Sequence, residues 1–214
     1  MQIQTFVCNP FQENAYLVWD AEKNAIFIDP GFYDDGEFAR AENFVCENGL
    51  HLHFALNTHL HLDHCIGNAK VADRLHIPVK ASEKDFFLIE NAERQAQMFG
   101  LDLEDVLPLP TDSLKDGEEF AFGNLRVRVL ETPGHSPGGL SFYFAKEKVL
   151  FSGDTLFRDS FGRTDLPLGD ENALVRSIRE KLLSLPDEVV VFPGHGGRTT
   201  VLREKANWKV GSGM

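Results

Sequence analysis

The stretch Thr58–His64, THLHLDH, constrains this chain more than any other segment. Three imidazoles and a carboxylate fall within six consecutive positions, and an apolar core would need a separate partner for each of them. A bound cation satisfies them together. His59 and His61 are two residues apart, so an extended backbone directs both to one side, where they can share a metal ion.

The flanking segments place this motif between a strand and a helix. Phe54–Thr58 is typical of a short buried strand and residues 66–75 of a helix. Asp63 and His64 then lie where the chain turns, and the bend can direct them at a second metal ion close to the first. A lone HxH pair is weak evidence, whereas HxHxDH in this context is specific. The alternative is a solvated histidine-rich loop.

Length and charge limit the classes of function that can be expected of this chain. The chain has 214 residues, of which 43 % are hydrophobic, and this is enough to bury a core. We expect one domain over 1–210 and a tail at 211–214. The 33 acidic and 21 basic residues leave a net charge of −12, which repels phosphate backbones and anionic membranes. Neither nucleic acid nor a membrane is expected as a partner.

Cysteine usage and the N-terminal residues predict a cytoplasmic protein. Cys8, Cys46 and Cys65 are odd in number and follow no CxxC spacing, which favours a reducing compartment over a disulfide framework. Residues 1–6 show no basic n-region or long apolar stretch, and no run of the sequence approaches the ~18 apolar residues that span a bilayer. We therefore expect a soluble, unexported protein.

The order of predicted elements indicates the fold class. Runs rich in β-branched and aromatic residues predict strands at 3–7, 15–19, 25–28, 54–58, 79–81, 119–122, 125–130, 140–144, 148–151 and 189–192. Apolar residues at helical spacing predict helices at 36–48, 66–75, 83–99 and 171–185. Strands and helices in each half favour an α+β fold, an αββα sandwich of two mixed sheets with helices on both outer faces.

Several polar and aromatic residues outside the motif admit structural interpretations. The apolar stripe of helix 83–99 is interpreted as packing against the body rather than as a cofactor site. His51, His53 and His76 lack convergent partners and are interpreted as surface or structural residues. Asp29, at the end of a strand, fits a carboxylate that supports the metal site and a turn-forming residue equally well.

Three further polar residues each end an apolar strand beside glycine or proline. They are His135 in Thr132-Pro-Gly-His, Asp154 in Ser152-Gly-Asp-Thr and His195 in Pro193-Gly-His-Gly. Glycine lets backbone and ligand approach closely, and strand ends present several groups to one cleft. Each residue alone could be an ordinary loop residue, but together with HxHxDH they complete a set of metal ligands.

With these motifs, and with Asp29-Pro-Gly and Gly162-Arg-Thr-Asp, the chain resembles the metallo-β-lactamase-fold hydrolases over residues 1–205, most closely the glyoxalase II-like group. The resemblance implies that His59, His61 and His135 bind one metal ion. It implies that Asp63, His64 and His195 bind a second ion and that Asp154 bridges both. His59, His61 and Asp63 are the residues expected to carry catalysis.

The resemblance also implies a reaction, the hydrolysis of an acyl thioester such as an S-2-hydroxyacylglutathione by a hydroxide shared between two divalent ions. Zinc is the expected metal, although iron or manganese suits the same ligands. Larger members of the group carry a C-terminal helical extension that helps to hold glutathione. Here 19 residues follow His195, which leaves the thiol of this small-molecule substrate open.

Alternatives remain for the substrate contacts and for the reaction. Arg158 and Arg163 could hold a substrate carboxylate, or Arg163 could pair with Asp165 to fix its loop. A persulfide dioxygenase of the same fold is the main rival function. It would use one iron on the counterparts of His59, His135 and Asp154. A lactonase or another hydrolase of the fold is a lesser alternative.

Overall fold

The computed structural model describes the backbone of residues 1–103 and 105–211, and the side chains of that set as far as Trp208. The first sheet has strands β1 Gln2–Cys8, β2 Glu13–Trp19, β3 Asn24–Ile28, β4 His51–Leu56, β5 Val79–Ala81 and β6 Asp112–Ser113, in that order. Strands β1 to β3 are antiparallel, and β3 to β6 are parallel. The sheet is therefore mixed, as expected.

The second sheet is also mixed. Its strands are β7 Glu119–Phe122, β8 Leu125–Glu131, β9 Leu140–Phe144, β10 Val149–Gly153, β13 Val190–Pro193 and β14 Thr199–Thr200, in the order β14-β13-β10-β9-β8-β7. Only β10 and β13 pair in parallel among these described strands. A separate hairpin joins β11 Leu156–Phe157 to β12 Ser160–Phe161.

The helices are α1 Asp35–Asn48, α2 Leu62–Cys65, α3 Asn68–Leu75, α4 Phe86–Glu90, α5 Ala92–Phe99, α6 Glu171–Arg176 and α7 Val201–Gly211. A 3₁₀ turn, Glu83–Asp85, precedes α4, and a π-helical stretch, Ser177–Leu182, continues α6. No helix among these described segments is both long and apolar enough to cross a bilayer.

Alternation along the strands builds three apolar layers. Tyr16 and Val18 of β2 face Phe142 of the second sheet, while Leu17 between them faces α1 on the other side. On the far side of the second sheet, Leu174 and its neighbours on α6 pack against β8 to β10. Helices thus cover both outer faces, which confirms the αββα sandwich. The single domain over 1–210 stays a prediction.

Helix boundaries differ from those expected. The helix expected over 66–75 begins at Asn68, and a separate short helix, Leu62–Cys65, precedes it, so Asp63 and His64 are already helical. At the break, Gly67 donates its N–H to Pro30 O at 3.0 Å, and a Cβ at this position would overlap that oxygen. Close contact with another segment therefore overrides local helix propensity here.

The long helix expected over 83–99 is also divided. Asn91 leaves helical geometry at φ −109° and ψ 17°, and its side chain donates to Phe87 O at 2.7 Å. Asparagine competes with the helix for backbone hydrogen bonds in this way. The two-residue strands were not predicted, because two residues show no periodicity. The helix α7 was not predicted either. Of the expected tail, Gly211 ends α7 and 212–214 lie outside the described residues.

Candidate metal centre

The candidate ligands follow four strands whose carboxyl ends lie at one edge of the sandwich. Strands β8 and β10 run in the same direction because β9 lies antiparallel between them, and β13 is parallel to β10. His135, Asp154 and His195 follow these three strands, and the HxHxDH segment follows β4 of the facing sheet. Leu140 N–H donates to Thr58 O at 2.7 Å and connects the loops of the two sheets.

One group of ligand atoms belongs to His59, His61 and His135, and these atoms lie within 4.8 Å of one another. Nδ1 of His61 and Nε2 of His135 are 2.8 Å apart. His135 donates from Nδ1 to Arg163 O at 2.7 Å, so its Nε2 carries the free lone pair. Nε2 of His59 is buried and has no hydrogen-bond partner.

A second group belongs to Asp63, His64 and His195 and has the same spread. His195 Nε2 lies 3.2 Å from Asp63 Oδ2, and its Nδ1 donates to Phe11 O at 3.1 Å. His64 Nδ1 lies 3.1 Å from Asp29 Oδ2, while its buried Nε2 has no hydrogen-bond partner. In both histidines, Nδ1 thus meets a protein acceptor, and Nε2 is left to bind a metal ion.

Asp154 lies between the two groups. Its Oδ1 is 3.3 Å from His64 Nε2, and its Oδ2 is 3.6 Å from Nε2 of both His135 and His195. Oδ1 is buried without a hydrogen-bond partner. The carboxylate can therefore reach ions in either group.

Asp29 supports the centre from behind. Its Oδ1 accepts from Thr58 N–H at 2.7 Å, and its Oδ2 accepts from Thr58 Oγ1 at 2.7 Å and contacts His64 Nδ1. Of the two interpretations of Asp29, the structure thus favours the carboxylate that orients a neighbouring imidazole. Asn57 adds a bond from its side chain to His64 O at 2.8 Å.

Burial and neighbouring charges shift the ligand pKa values in opposite directions. Burial lowers the pKa of His59, and that of His61 to about 3, which keeps both rings neutral. Burial also disfavours a charged His64, but Asp154, Asp63 and Asp29 outweigh it and raise the His64 pKa. Burial opposes charge on Asp154 as well, yet His64 and the other rings lower its pKa. The centre therefore attracts positive charge.

The donor set fits divalent cations. Nitrogen and oxygen ligands at about 2.0–2.2 Å from a tetrahedral ion stand about 3.3–3.6 Å apart. The pairs His61–His135, Asp63–His195 and Asp154–His64 are separated by 2.8, 3.2 and 3.3 Å. Buried nitrogens and oxygens without partners are costly unless a ligand satisfies them. The residues present can hold the two ions that the fold family implies.

Three histidines lie outside both groups. His51 and His76 are exposed, and His53 is exposed with Nε2 3.0 Å from Asn24 Oδ1. None of them belongs to a group of converging donors among the described residues. This agrees with their interpretation as surface or structural residues.

The two candidate substrate arginines are placed differently. Arg163 borders the cavity over the centre, but its guanidinium donates two bonds of 2.6 Å to Asp165. Arg158 is not among the described residues that line this cavity, and it lies 3.9 Å from Asp159. The Arg163–Asp165 pair expected as the structural alternative is thus present.

A cavity of about 290 Å³ opens over the centre. Five candidate ligands border it, and Met98 and Phe99 of α5 form part of its wall. The stripe on helix 83–99 therefore has two uses: Ile89, Ala92 and Ala96 pack against the body as expected, whereas Phe99 contributes to the cavity. Spacing alone could not separate these two uses, because Phe99 follows Ile89, Ala92 and Ala96 at helical spacing.

Two buried carboxyl groups were not singled out from the sequence. Asp85 accepts from Leu60 N–H, Ser136 Oγ and Gly138 N–H, next to the candidate ligands. Glu13 is fully buried, neither of its oxygens has a hydrogen-bond partner, and Oε1 lies 3.9 Å from His64 Nδ1. Burial raises the Glu13 pKa. Neither residue lies in a motif, so no sequence signal marked them.

Comparison with known proteins gives consistent results. The sequence-family model that describes the metallo-β-lactamase superfamily matches residues 8–195 of this chain. The hydroxyacylglutathione hydrolase GloC of Haemophilus influenzae is 40 % identical over 206 residues, which cover 96 % of this chain and 95 % of that protein. These similarities support a metallohydrolase.

Solved structures share the fold. The BLEG-1 B3 metallo-β-lactamase is 35 % identical with a TM-score of 0.87, covering 96 % of this chain and 97 % of that one. TTHA1623 in a di-iron-bound form is 42 % identical with a TM-score of 0.82, covering 93 % and 95 %. ETHE1 from Myxococcus xanthus is 26 % identical with a TM-score of 0.78, covering 97 % and 83 %. From the family match and the GloC similarity, we conclude that this chain belongs to the metallo-β-lactamase superfamily.

Proposed function

We propose that the protein hydrolyses an acyl thioester at a centre of two divalent metal ions. The observation that carries this proposal is the pair of donor groups, His59–His61–His135 and Asp63–His64–His195, with Asp154 between them. The similarity to a hydroxyacylglutathione hydrolase supports the thioester as the substrate class. Two ions bound by these residues would supply an activated water at neutral pH and polarise the substrate carbonyl.

The residues have separate tasks in this proposal. His59, His61 and His135 would hold the first ion, Asp63, His64 and His195 would hold the second, and Asp154 would be within reach of both. His59, His61 and Asp63 remain the residues on which catalysis depends most directly. Asp29 fixes the His64 ring, and the Arg163 carbonyl fixes the His135 ring. Such support of ligating histidines typically contributes 10–100-fold to metal affinity or activity.

The protein needs neither a nucleophilic side chain nor a general acid for the leaving group. Cys65 follows His64 but is buried, its Sγ lies 3.6 Å from Leu60 O, and burial raises its pKa, so it stays a thiol. A thiolate can leave without being protonated first, because thiol pKa values are only about 8.5. We assign the Arg163 guanidinium to its pair with Asp165, and we assign no contact with the substrate to Arg158.

Metal content and thioester cleavage test the proposal together. The protein is stripped, loaded with zinc, iron or manganese, analysed for bound metal, and assayed for thiol release from S-lactoylglutathione and simple acyl thioesters. We expect two ions per chain, with zinc the physiological metal. His61→Ala and Asp154→Ala should each lose metal and more than about 100-fold in activity, since even supporting residues contribute up to that factor.

His51→Ala is the matched control, because it removes an exposed imidazole from the same strand region. It should keep both the metal and the activity. Thioester cleavage that persists undiminished in the His61 and Asp154 variants would exclude this mechanism, since losing a ligand should remove the activated water.

A persulfide dioxygenase is the second candidate, and the similarity to ETHE1 keeps it open. That activity would need one iron on His59, His135 and Asp154, with the second group of donors unused. Oxygen uptake on glutathione persulfide by the iron-loaded protein, without thiol release from thioesters, would favour it. A panel of lactones in the same assay tests the lesser alternative of a lactonase.

A further inference from the structure

The cavity over the metal centre has an apolar wall built by four separate chain segments. Beside the candidate ligands, these segments contribute apolar side chains that include Phe11, Leu62, Leu88, Phe99 and Leu166. Its volume of about 290 Å³ lies at the lower end of ligand sites. A small apolar group beside the reacting carbonyl suits this space.

The polar side chains on the wall are already engaged. Gln95 donates from Nε2 to Leu88 O at 2.8 Å, and Arg163 is paired at two positions with Asp165. Arg163 is the one lysine or arginine among the described residues that line the cavity. A thiol with two carboxylates, such as glutathione, would therefore meet no free cation on this wall, and the chain's net charge of −12 adds repulsion.

Part of the wall is exposed although it is apolar. Met98 is 72 % exposed and Phe99 is 48 % exposed at the same cavity. The Phe99 ring packs edge-on against Phe11 at 5.2 Å between centroids, and Phe11 O accepts the hydrogen bond of His195 Nδ1. The aromatic wall is thus continuous with a candidate metal ligand. Exposed apolar patches of this kind mark binding sites.

We propose that the substrate carries an uncharged apolar substituent next to its thioester, and that the wall around Phe99 and Leu88 binds it. This inference rests on the thioester hydrolysis proposed above and defines the substrate class. The apolar substituent could belong to the acyl chain or to the thiol. Either one would cover Met98 and Phe99 and remove their surface from water.

Two series of thioesters distinguish these sources. In the first, acetyl, butyryl and hexanoyl groups are joined to N-acetylcysteamine, a small neutral thiol. In the second, the acetyl group is joined to ethane-, butane- and hexanethiol, and S-lactoylglutathione serves as the charged comparison. In the series whose varied chain enters the cavity, kcat/KM should rise about fourfold for each added methylene until the cavity is full. Non-hydrolysable thioethers of equal chain length should bind in the same order in calorimetry.

Phe99→Gln tests the wall itself and should fold, because the ring is half exposed. In the series whose varied group enters the cavity, it should lower the ratio of the six-carbon to the two-carbon kcat/KM by about tenfold, in line with the apolar area removed. Val106→Gln is the control, since Val106 is 91 % exposed and is not among the described residues that line the cavity. Its ratio should match that of the unaltered protein.

The outcomes separate this inference from the proposed function. Equal kcat/KM along both series, or a preference for S-lactoylglutathione over every apolar thioester, would overturn the apolar site while thioester hydrolysis stands. Failure of the metal-loaded protein to cleave any of these compounds would overturn the proposed function, and the inference with it.

Discussion

Asp85 holds together two loops that carry candidate ligands. Its Oδ2 accepts from Leu60 N–H at 3.3 Å and from Ser136 Oγ at 2.7 Å, and its Oδ1 accepts from Gly138 N–H at 2.6 Å. Leu60 lies between His59 and His61, and Ser136 follows His135. The carboxyl group is fully buried, and burial raises its pKa against the lowering effect of these three donors. Its loss should disturb both the fold and metal binding.

Asp85→Asn preserves the shape but removes an acceptor. If the amide oxygen takes the place of Oδ1, the amide nitrogen faces Leu60 N–H; in the opposite orientation it faces Gly138 N–H. In both cases one buried N–H loses its partner at a cost of about 1–3 kcal/mol, and the remaining bonds lose their charge-assisted strength. Removing a buried charge offsets part of this loss. We expect a net destabilisation of about 2–3 kcal/mol.

Urea unfolding followed by the fluorescence of Trp19 and Trp208 measures this difference. It should be done on metal-free protein, so that metal binding does not contribute, and metal content is then determined separately on loaded protein. Asp112→Asn is the control, because its carboxylate is exposed and pairs with Lys80, and such pairs contribute less than about 1 kcal/mol. Asp85→Asn with stability within about 0.5 kcal/mol of the parent and full metal content would refute the role assigned to Asp85.

Three further predictions concern the metals, a glycine and a surface pair. Removal of the metal by a chelator should lower the unfolding temperature by about 10 °C, and zinc should restore it. A ligand present at 1,000 times its Kd raises the free energy of unfolding by about 4 kcal/mol. Gly194→Ala should reduce metal content in an elemental assay, because its Cβ would overlap Asp154 Oδ1 and lie 2.6 Å from His64 Cε1, whereas Gly36→Ala should retain it. Burial opposes charge on Asp116, but Lys181 and the Glu131 N–H outweigh it and lower the Asp116 pKa below the usual 3.8. The ionised Asp116 therefore stabilises the folded protein above pH 4, and this stabilisation is lost as pH falls through the lowered pKa. Asp116→Asn should therefore cost under about 1 kcal/mol in urea at pH 7 and less at pH 3, and an equal cost at both would contradict the assignment.

The longer strands were predictable because they are runs of β-branched and aromatic residues bounded by turn residues. In β8 a period of two is also visible, since Leu125 and Val127 are buried and Arg126 is exposed, whereas β2 is apolar throughout and its two faces separate only in the fold. The candidate ligands were predictable for a different reason. Each follows a strand end with glycine or proline beside it, so His135, Asp154 and His195 could be placed at one edge before their distances were known.

Contacts between distant segments were not predictable. Gly67 breaks a helix because it packs on Pro30 O, 37 positions earlier in the chain, and no local pattern records that contact. The same holds for Phe99, which meets Phe11 only in the fold and so becomes part of the cavity. Asp85 is the clearest case, since it lies in a charged stretch typical of a surface helix but is buried by three donors from other segments.

The buried carboxyl groups around His64 bear on how many ions the centre holds. Asp29, Asp63 and Asp154 contribute three negative charges, and Glu13, 3.9 Å from the same ring, contributes a fourth whenever it is ionised. With Glu13 protonated, as its burial favours, one divalent ion would leave this cluster with one negative charge and two would leave it with one positive charge, so charge alone does not decide the number of ions. The unpartnered donor atoms discriminate better, because one iron on His59, His135 and Asp154 would leave the buried His64 Nε2 without a partner. This supports the proposed two-ion centre over a mononuclear oxygenase, and a fully active protein with one ion per chain would contradict it.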